Sequence, residues 1–351
     1  MQQNEAVSGS TDVVALREWM DSRSIGNGPI ESLVPLAGGT QNIVLRFSRD
    51  GREYVLRRAP IHSGRRGNMT MRREAKVLAA LADTDVPHAH FIVMCEEPAV
   101  LGTEFYLMDS IGGFNVTVGM PPTQAACSSK RRIMGLSFVD GIATLGHVDH
   151  VAIGLEGFGR PEGYLDRQIV RWQSQLEGYG QYANWDGYRD LSGLNEISAW
   201  LERNQPRAFE PGIVHGDYQL SNVLFSNGSS EVAAILDWEL STIGDPLLDL
   251  GHVLATWPDP QGDRPGSRRQ ILPWAGFPTA DELVSRYARH TSRDLSNIDW
   301  YAVLACYRFA IILEGSYARS SAGLTPDTVG TRLHSAAIRL ITRAAGWLNG
   351  V

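Results

Sequence analysis

Polar residues at the ends of two short apolar segments constrain this chain more than any other feature. Residues 213–217 read Ile-Val-His-Gly-Asp, residues 222–225 read Asn-Val-Leu-Phe, and the apolar segment 232–236 ends in Asp237. Two short strands joined by the Ser-Asn-Gly-Ser turn at 226–229 would place these polar side chains at their outer ends. The spacing therefore predicts a hairpin with an acidic or amide side chain before, within and after it.

Phosphoryl transfer requires this set of side chains. A carboxylate must orient an acceptor hydroxyl and accept its proton, and oxygen ligands must hold the Mg²⁺ that bridges the phosphates. Asp217 is the candidate base, and Asn222 and Asp237 are the candidate metal ligands. A lone His-Gly-Asp is equally compatible with an aspartate that caps a loop. The combination of all three residues favours the chemical interpretation.

These motifs resemble those of the aminoglycoside phosphotransferase family. Residues 215–222 fit H-G-D-x-x-x-x-N, residues 235–237 read Ile-Leu-Asp, and residues 244–250 read Gly-Asp-Pro-Leu-Leu-Asp-Leu. Gly-Arg-Pro at 159–161 and Gln-Ile-Val-Arg-Trp at 168–172 resemble the subfamily that is fused to acyl-CoA dehydrogenases. The resemblance covers roughly residues 33–249 and implies an enzyme that uses ATP and Mg²⁺. Asp245 and Asp249 fit a helix start equally well and are left out of the predicted site.

The resemblance also implies an α+β, bilobal, protein-kinase-like fold. Residues 1–108 are expected to form a small nucleotide-binding lobe with an antiparallel sheet and one main helix, and residues 109–351 a larger, mainly helical lobe. Hydrophobic periodicity agrees with this division. It predicts strands within 33–47 and at 54–57 and 105–108, and helices at 13–20, 71–81, 132–145, 164–176, 194–203, 281–290, 298–313 and 331–347.

In kinase-like folds a cation on the third strand binds the nucleotide phosphates and pairs with a glutamate on the next helix. The chain has only two lysines, Lys76 within the helix and Lys130 far downstream, so Arg57 is the candidate. Strand alternation places Val55 on the same face, where it could cover the adenine, and leaves Arg58 facing outward as the competing residue. Glu74 is the candidate partner, and an exposed surface charge is the alternative interpretation of this residue.

Two further segments are candidates for nucleotide binding. Gly38, Gly39 and Thr40 form a turn whose glycines would allow the backbone to approach phosphate oxygens, although an ordinary hairpin turn would read the same. Met108, Asp109 and Ser110 fall where the family joins its lobes, so their backbone groups are expected to bind adenine.

Composition and charge argue against several classes of binding partner. A net charge of −7 gives no electrostatic footprint for nucleic acid. No run of about 18 apolar residues predicts a membrane span, the polar start does not resemble a signal peptide, and the cytoplasm is the expected location. Three widely spaced cysteines indicate buried thiols rather than disulfides or a zinc site. The expected partner is a small hydroxylated acceptor, with no membrane or nucleic acid and with the oligomeric state open.

Alternatives remain for the activity and for the acceptor. A non-catalytic nucleotide-binding pseudokinase would usually lack the base or a metal ligand. A protein kinase would have arginine in place of Gly216 and a D-F-G segment. A metal-dependent hydrolase would need a further histidine cluster. Residues 251–351 hold eight acidic residues and eleven arginines. This surplus of arginines over acidic residues favours a neutral or anionic acceptor, such as a hydroxy acid or its CoA thioester, over a polycationic aminoglycoside. A true antibiotic phosphotransferase is the alternative.

Overall fold

The computed structural model describes residues 11–36, 42–189, 191–265 and 270–348. The chain divides into two compact units, Met1–Gly112 with Ala233–Ser241, and Gly113–Val232 with Thr242–Val351. The predicted turn residues Gly38, Gly39 and Thr40 lie outside the described residues.

The first unit is built on a five-stranded antiparallel sheet. Its spatial order is β1-β2-β3-β5-β4, with the strands β1 (Glu31–Pro35), β2 (Ile43–Arg49), β3 (Arg52–Arg58), β4 (Phe91–Cys95) and β5 (Phe105–Asp109). Asp50 and Gly51 both adopt positive φ at the tight turn between β2 and β3. Such a turn suits Asp-Gly, because aspartate and glycine tolerate left-handed backbone better than most residues.

Two helices pack on this sheet. α1 (Val13–Ser22) begins at Asp12, whose carboxylate accepts the N–H groups of Val14 and Ala15. Its Leu16, Trp19 and Met20 join a buried apolar cluster with residues of β2, β3 and β5. α2 (Gly64–Ala80) contacts β3, β4 and β5. A four-residue turn of helix, α3, follows β4 at Pro98–Leu101.

The segment 233–241 belongs to this unit although it lies far along the chain. The N–H of Ile235 donates to the carbonyl oxygen of Pro87 at 2.8 Å, and the indole of Trp238 donates to the carbonyl oxygen of Ile235 at 3.2 Å. A short 3₁₀ turn, Trp238–Leu240, then ends the segment. These bonds hold Asp237 at the end of its strand.

The second unit is mainly helical. Its helices are α4 (Pro122–Ala125), α5 (Ser128–His147), α6 (Asp166–Gly178), α7 (Leu194–Arg203), α8 (Leu247–Thr256), α9 (Ala280–Arg289), α10 (Ile298–Ser321) and α11 (Asp327–Leu348). α10 packs against α6, α7, α8 and α11. β6 (Gly212–Val214) pairs antiparallel with β9 (Thr242–Gly244). β7 (Val223–Phe225) also belongs to this unit, and β8 (Val232–Ile235) begins at the last residue of this unit before the segment 233–241.

Several details differ from the sequence prediction. β4 was not predicted, and the first main helix begins at Gly64 rather than at residue 71. Composition alone, rich in Pro, Gly and Asp at 257–264, would favour an exposed loop, yet Trp257 is buried: its ring stacks on Phe138 and its indole donates to the carbonyl oxygen of Pro278. Cys95 and Cys306 are buried, whereas Cys127 is only half-buried.

Across the described ranges, no helix combines the length and the apolar character that crossing a membrane requires. The cytoplasmic location stays a prediction.

Candidate active site

Arg57 lies at the centre of a charged cluster in the first unit. Its Nε is 2.7 Å from Oε2 of Glu74, and its Nη2 donates to Oδ1 of Asp237 at 2.5 Å. Burial alone would lower the pKa of Arg57, but the carboxylates of Glu74 and Asp237 more than offset it, so the pKa lies above its ordinary value. The guanidinium therefore stays charged.

Glu74 is buried rather than exposed. It is 1% exposed, and it also accepts a hydrogen bond from the hydroxyl of Tyr106 at 2.8 Å. Burial raises the pKa of Glu74 to about 7, against the opposing effect of Arg57 and of the tyrosine hydroxyl. The alternative of an ordinary surface charge is wrong for this residue.

Asp237 adopts an uncommon backbone conformation. Its φ is +66°, in the left-handed region that residues other than glycine seldom occupy. Its side chain is about one-third exposed, and one oxygen each of Glu74, Asp237 and Glu239 lie within 4.8 Å of one another. Glu239 also accepts from Nδ2 of Asn42 at 3.0 Å. Negative charge of this density, next to Arg57, is able to attract a cation.

Arg58 does not face outward as predicted. Its side chain is 2% exposed, and its Nε and Nη1 are buried without hydrogen-bond partners. Strand alternation puts Arg58 on the opposite face of β3 from Arg57, and this face is covered as well. The expectation failed because both faces of β3 are buried over residues 54–58.

The remaining nucleotide-site candidates lie on β3 and at the end of β5. Val55 is buried and is paired across the sheet with Met108. Asp109 ends β5 and accepts a hydrogen bond from Nη2 of Arg52 at 2.5 Å, and Ser110 follows it half-buried. The carboxylate of Asp109 is thus engaged with Arg52, while its backbone N–H donates to the carbonyl oxygen of His90.

In the second unit, residues 215–222 form a loop that we call the HGD loop. Oδ1 of Asp217 accepts from Nε2 of Gln219 at 3.0 Å, and Oδ2 accepts from Nδ2 of Asn222 at 2.8 Å. Asn222 also donates to the backbone oxygen of Asp217 at 2.9 Å. The two amide groups fix the orientation of the carboxylate without neutralising its charge.

Asp249 anchors the start of this loop. Its carboxylate accepts the backbone N–H of His215 at 2.6 Å and that of Gly216 at 2.9 Å. Gly216 has φ of +84°, a conformation that a side chain would strain. Burial raises the pKa of Asp249 to about 7, although its two backbone hydrogen bonds act in the opposite direction.

Asn115 supports the end of the loop. Its Nδ2 lies within hydrogen-bond distance of the carbonyl oxygens of Leu220, Ser221 and Val223, at 3.1, 2.8 and 3.0 Å. Its Oδ1 accepts from the backbone of Thr117, which fixes the amide orientation. Asn115 was not predicted, because a single asparagine in a Gly-rich segment gives no recognisable signal.

Two further side chains adjoin Asp217. His252 of α8 is 1% exposed, and its Nε2 lies 3.7 Å from Oδ1 of Asp217. Burial lowers the pKa of His252 well below its ordinary value, with Arg308 adding to the effect, so the imidazole is neutral at neutral pH. Nη2 of Arg308, on α10, donates to the carbonyl oxygen of Gly216 at 2.8 Å. The spacing of three residues between Asp249 and His252 could have indicated His252, since both positions face the same side of a helix.

A model of the "Phosphotransferase enzyme family" matches residues 32–283, which is more than half of the chain. Acyl-CoA dehydrogenase family member 11 of Rattus norvegicus is 30% identical over 324 residues. The match covers 88% of this chain but only 39% of the rat protein, so the chain spans about two fifths of this relative's length.

Solved structures agree. A Ralstonia eutropha protein assigned as an aminoglycoside phosphotransferase superposes with a TM-score of 0.77 at 28% identity, over 95% of this chain and 98% of the other. A mutant of the aminoglycoside phosphotransferase APH(4)-Ia, in a ternary complex with AMP-PNP and hygromycin B, gives 0.57 at 15% identity, over 93% and 98%. The predicted α+β, protein-kinase-like fold is confirmed.

Proposed function

Because the chain belongs to the phosphotransferase enzyme family, and is thus a phosphotransferase with an alcohol group as acceptor, we propose that it transfers the γ-phosphate of ATP, with Mg²⁺, to a small hydroxylated molecule. The observation that carries the proposal is the carboxylate of Asp217, held by the amides of Gln219 and Asn222 on a loop anchored by Asp249. A fixed carboxylate of this kind suits a base for an acceptor hydroxyl.

Asp217 is the proposed base. It orients the acceptor hydroxyl and receives its proton as the oxygen bonds to phosphorus. Gln219 and Asn222 support this role, because they fix the carboxylate while leaving it anionic. His252, 3.7 Å away, is neutral because burial lowers its pKa, so it places no positive charge beside the carboxylate.

Asn222 and Asp237 are the proposed ligands of Mg²⁺. Within the described residues, Oδ1 of Asn222 and Oδ2 of Asp237 accept no hydrogen bond, so each side chain keeps one oxygen for a metal. Amide and carboxylate oxygens are the donors that Mg²⁺ prefers. Each of the two side chains by itself therefore offers a donor that suits the ion, which when bound would neutralise charge on the nucleotide phosphates.

Residues 1–108 are the proposed nucleotide-binding lobe, and residues 109–351 are the proposed catalytic and acceptor-binding lobe. Arg57 would bind phosphate oxygens, with Glu74 holding it in place, and Val55 would cover the adenine. Backbone groups of Met108, Asp109 and Ser110 would bind the base, and the turn Gly38, Gly39 and Thr40 would cover the phosphates.

The proposed acceptor is a hydroxy acid or a hydroxyacyl-CoA ester. Similarity to a protein named acyl-CoA dehydrogenase family member 11 supports an acyl substrate. A true aminoglycoside phosphotransferase is the second candidate, because the APH(4)-Ia structure contains hygromycin B. A pseudokinase is a poorer candidate, since Asp217, Asn222 and Asp237 are all present.

The test is ADP release that depends on an added hydroxylated compound, with mass detection of the phosphorylated product. Asp217→Asn should abolish transfer, to below about 1% of the wild-type rate, and should leave the affinity for Mg-ATP within about threefold. Asp237→Ala should instead weaken Mg-dependent nucleotide binding, as measured by calorimetry. Asp299→Asn, an exposed aspartate in α10, is the matched control. Unchanged turnover in Asp217→Asn would contradict the proposal.

A further inference from the structure

Arg308 is a cation beside the HGD loop. Its side chain is half-buried, and its Nη2 donates to the carbonyl oxygen of Gly216, the residue before Asp217. The carboxylates of Asp217 and Asp249 attract the guanidinium, although within the described ranges neither lies at ion-pair distance from it. Its Nε is buried without a hydrogen-bond partner, and a partly desolvated cation with such an N–H is unfavourable.

Two aromatic rings lie beside this guanidinium, and the carboxylates of Asp217 and Asp249 attract it from beyond ion-pair distance. Its carbon Cζ lies 5.4 Å from the ring centre of Trp172 and 5.8 Å from that of Phe309. Ring faces attract a cation but accept no strong hydrogen bond, so they leave the donors of Arg308 available. The loop carbonyl uses only one donor.

A second arginine lies on the same tryptophan. Cζ of Arg171, on α6, is 5.0 Å from the ring centre of Trp172, and its side chain is exposed. Like Arg308, it forms no ion pair with any carboxylate in the described parts of the chain. Both arginines also act electrostatically on the hydroxyl of Tyr164. This part of the second unit therefore concentrates positive charge close to the proposed base.

We propose that Arg308 is a specificity-determining residue that binds an acyl oxygen of the acceptor, while the acceptor hydroxyl faces Asp217. The planar fork of a guanidinium suits a carboxylate, and it also donates to the carbonyl oxygen of a thioester. Arg171 adds long-range attraction for an anionic acceptor. The inference rests on the proposed phosphotransfer, and it assigns the substrate class to a residue that no motif singled out.

The experiment compares acceptors that differ only at the acyl group. Hydroxy acids with three to five carbons, their CoA thioesters and the corresponding diols are assayed for ADP release with wild type, Arg308→Gln, Arg308→Lys and Arg171→Gln. Arg319→Gln, on the same helix but hydrogen-bonded to Ser316, is the control. Acids turning over better than thioesters, or the reverse, would identify the form of the acyl group.

We expect Arg308→Gln to raise KM for the best acyl acceptor by about tenfold or more, with a smaller change in kcat and no change in KM for the diol. Arg308→Lys should fall between wild type and Arg308→Gln, because it keeps the charge but loses the fork. Arg171→Gln should raise KM by only about twofold to threefold, since its charge is exposed. The control should behave as wild type.

If Arg308→Gln impaired turnover of acyl acceptors and of diols equally, the inference would be overturned, because the result would show that Arg308 only supports the HGD loop. A preference of the wild type for diols would also overturn it. Thermal unfolding with Mg-ADP and each hydroxy acid gives a readout that does not need turnover. Stabilisation by the acids should disappear in Arg308→Gln, and an acyl panel that gives neither turnover nor Arg308-dependent stabilisation contradicts the inference. Failure of the proposed phosphotransfer is recognised separately: wild type and Asp217→Asn would then release ADP at the same rate.

Discussion

Two neighbouring arginines of β3 differ in what surrounds them. Arg57 has Glu74 and Asp237 as partners, whereas Arg58 is buried with unsatisfied nitrogens and no carboxylate within the described residues. Removing one member of a buried ion pair leaves the other charge unpaired, which costs about 3–5 kcal/mol. Removing a cation that has no partner carries no such cost.

We therefore expect Arg57→Met to lower the free energy of unfolding by about 3 kcal/mol and to weaken nucleotide binding strongly. Arg58→Met should leave stability unchanged or raise it, and should change nucleotide affinity little. Urea unfolding and calorimetry with Mg-ATP measure both quantities. The opposite ranking for nucleotide affinity would show that Arg58, and not Arg57, serves the nucleotide.

At the scale of elements, α8 is the support of the HGD loop. Asp249 and His252 project from the same side of this helix, and the first of them holds the loop by two backbone N–H groups. The helix start was predicted from Gly-Asp-Pro at 244–246, and Asp245 does accept the N–H of Leu247 at 3.0 Å. The second aspartate is not a cap: its partners are more than thirty residues earlier in the chain.

Asp249→Asn should lower kcat by about tenfold or more without a matching change in nucleotide affinity. An asparagine offers one acceptor oxygen where the carboxylate uses two, so one loop N–H loses its partner, at a cost of about 1–3 kcal/mol. Steady-state kinetics and calorimetry test this expectation, with Asp281→Asn in the first turn of α9 as the control. Unaltered kcat would show that the loop keeps its conformation without Asp249.

Local sequence patterns predicted most of the helices and strands but not the tertiary contacts that these make. The short apolar runs at 54–57 and 105–108 predicted β3 and β5, whereas the equally apolar run of β4, Phe-Ile-Val-Met-Cys, was not predicted, because periodicity alone does not distinguish a short apolar strand from a buried helix segment. The linear motif predicted Asp217, Asn222 and Asp237 as site residues. It could not identify Asn115 or Arg308, because their bonds to the HGD loop connect segments about a hundred residues apart, and only tertiary packing brings those segments together.

The pH dependence of the free energy of unfolding is a property of the whole molecule. Burial raises the pKa of Asp249 from its ordinary range to about 7 in the folded protein. A carboxyl with a raised folded pKa contributes stability that is fully present below its unfolded pKa and is lost as pH rises through the folded value. Its contribution should therefore decline between about pH 4 and pH 7.

We expect the difference in free energy of unfolding between wild type and Asp249→Asn to shift against the wild type as pH rises from about 4 to 7, and to become constant above about pH 8. Urea unfolding at fixed temperature across this range measures it. A difference that stays flat, or that moves in favour of the wild type, would mean that the two backbone N–H bonds outweigh burial and keep Asp249 ionised throughout.

The discontinuity of the first unit has a consequence for biosynthesis. Its sheet is complete by Asp109, but Ala233–Ser241, which carries the carboxylate paired with Arg57, leaves the ribosome more than a hundred residues later. During translation Arg57 is therefore synthesised well before Asp237, one of its two anionic partners. Pro87 is likewise synthesised well before Ile235, whose N–H its carbonyl oxygen accepts. A nascent chain arrested after residue 112 would contain all five strands of the sheet, but its charged cluster of Arg57 and Glu74 would lack Asp237. The cluster would be completed only after residues 233–241 had been synthesised.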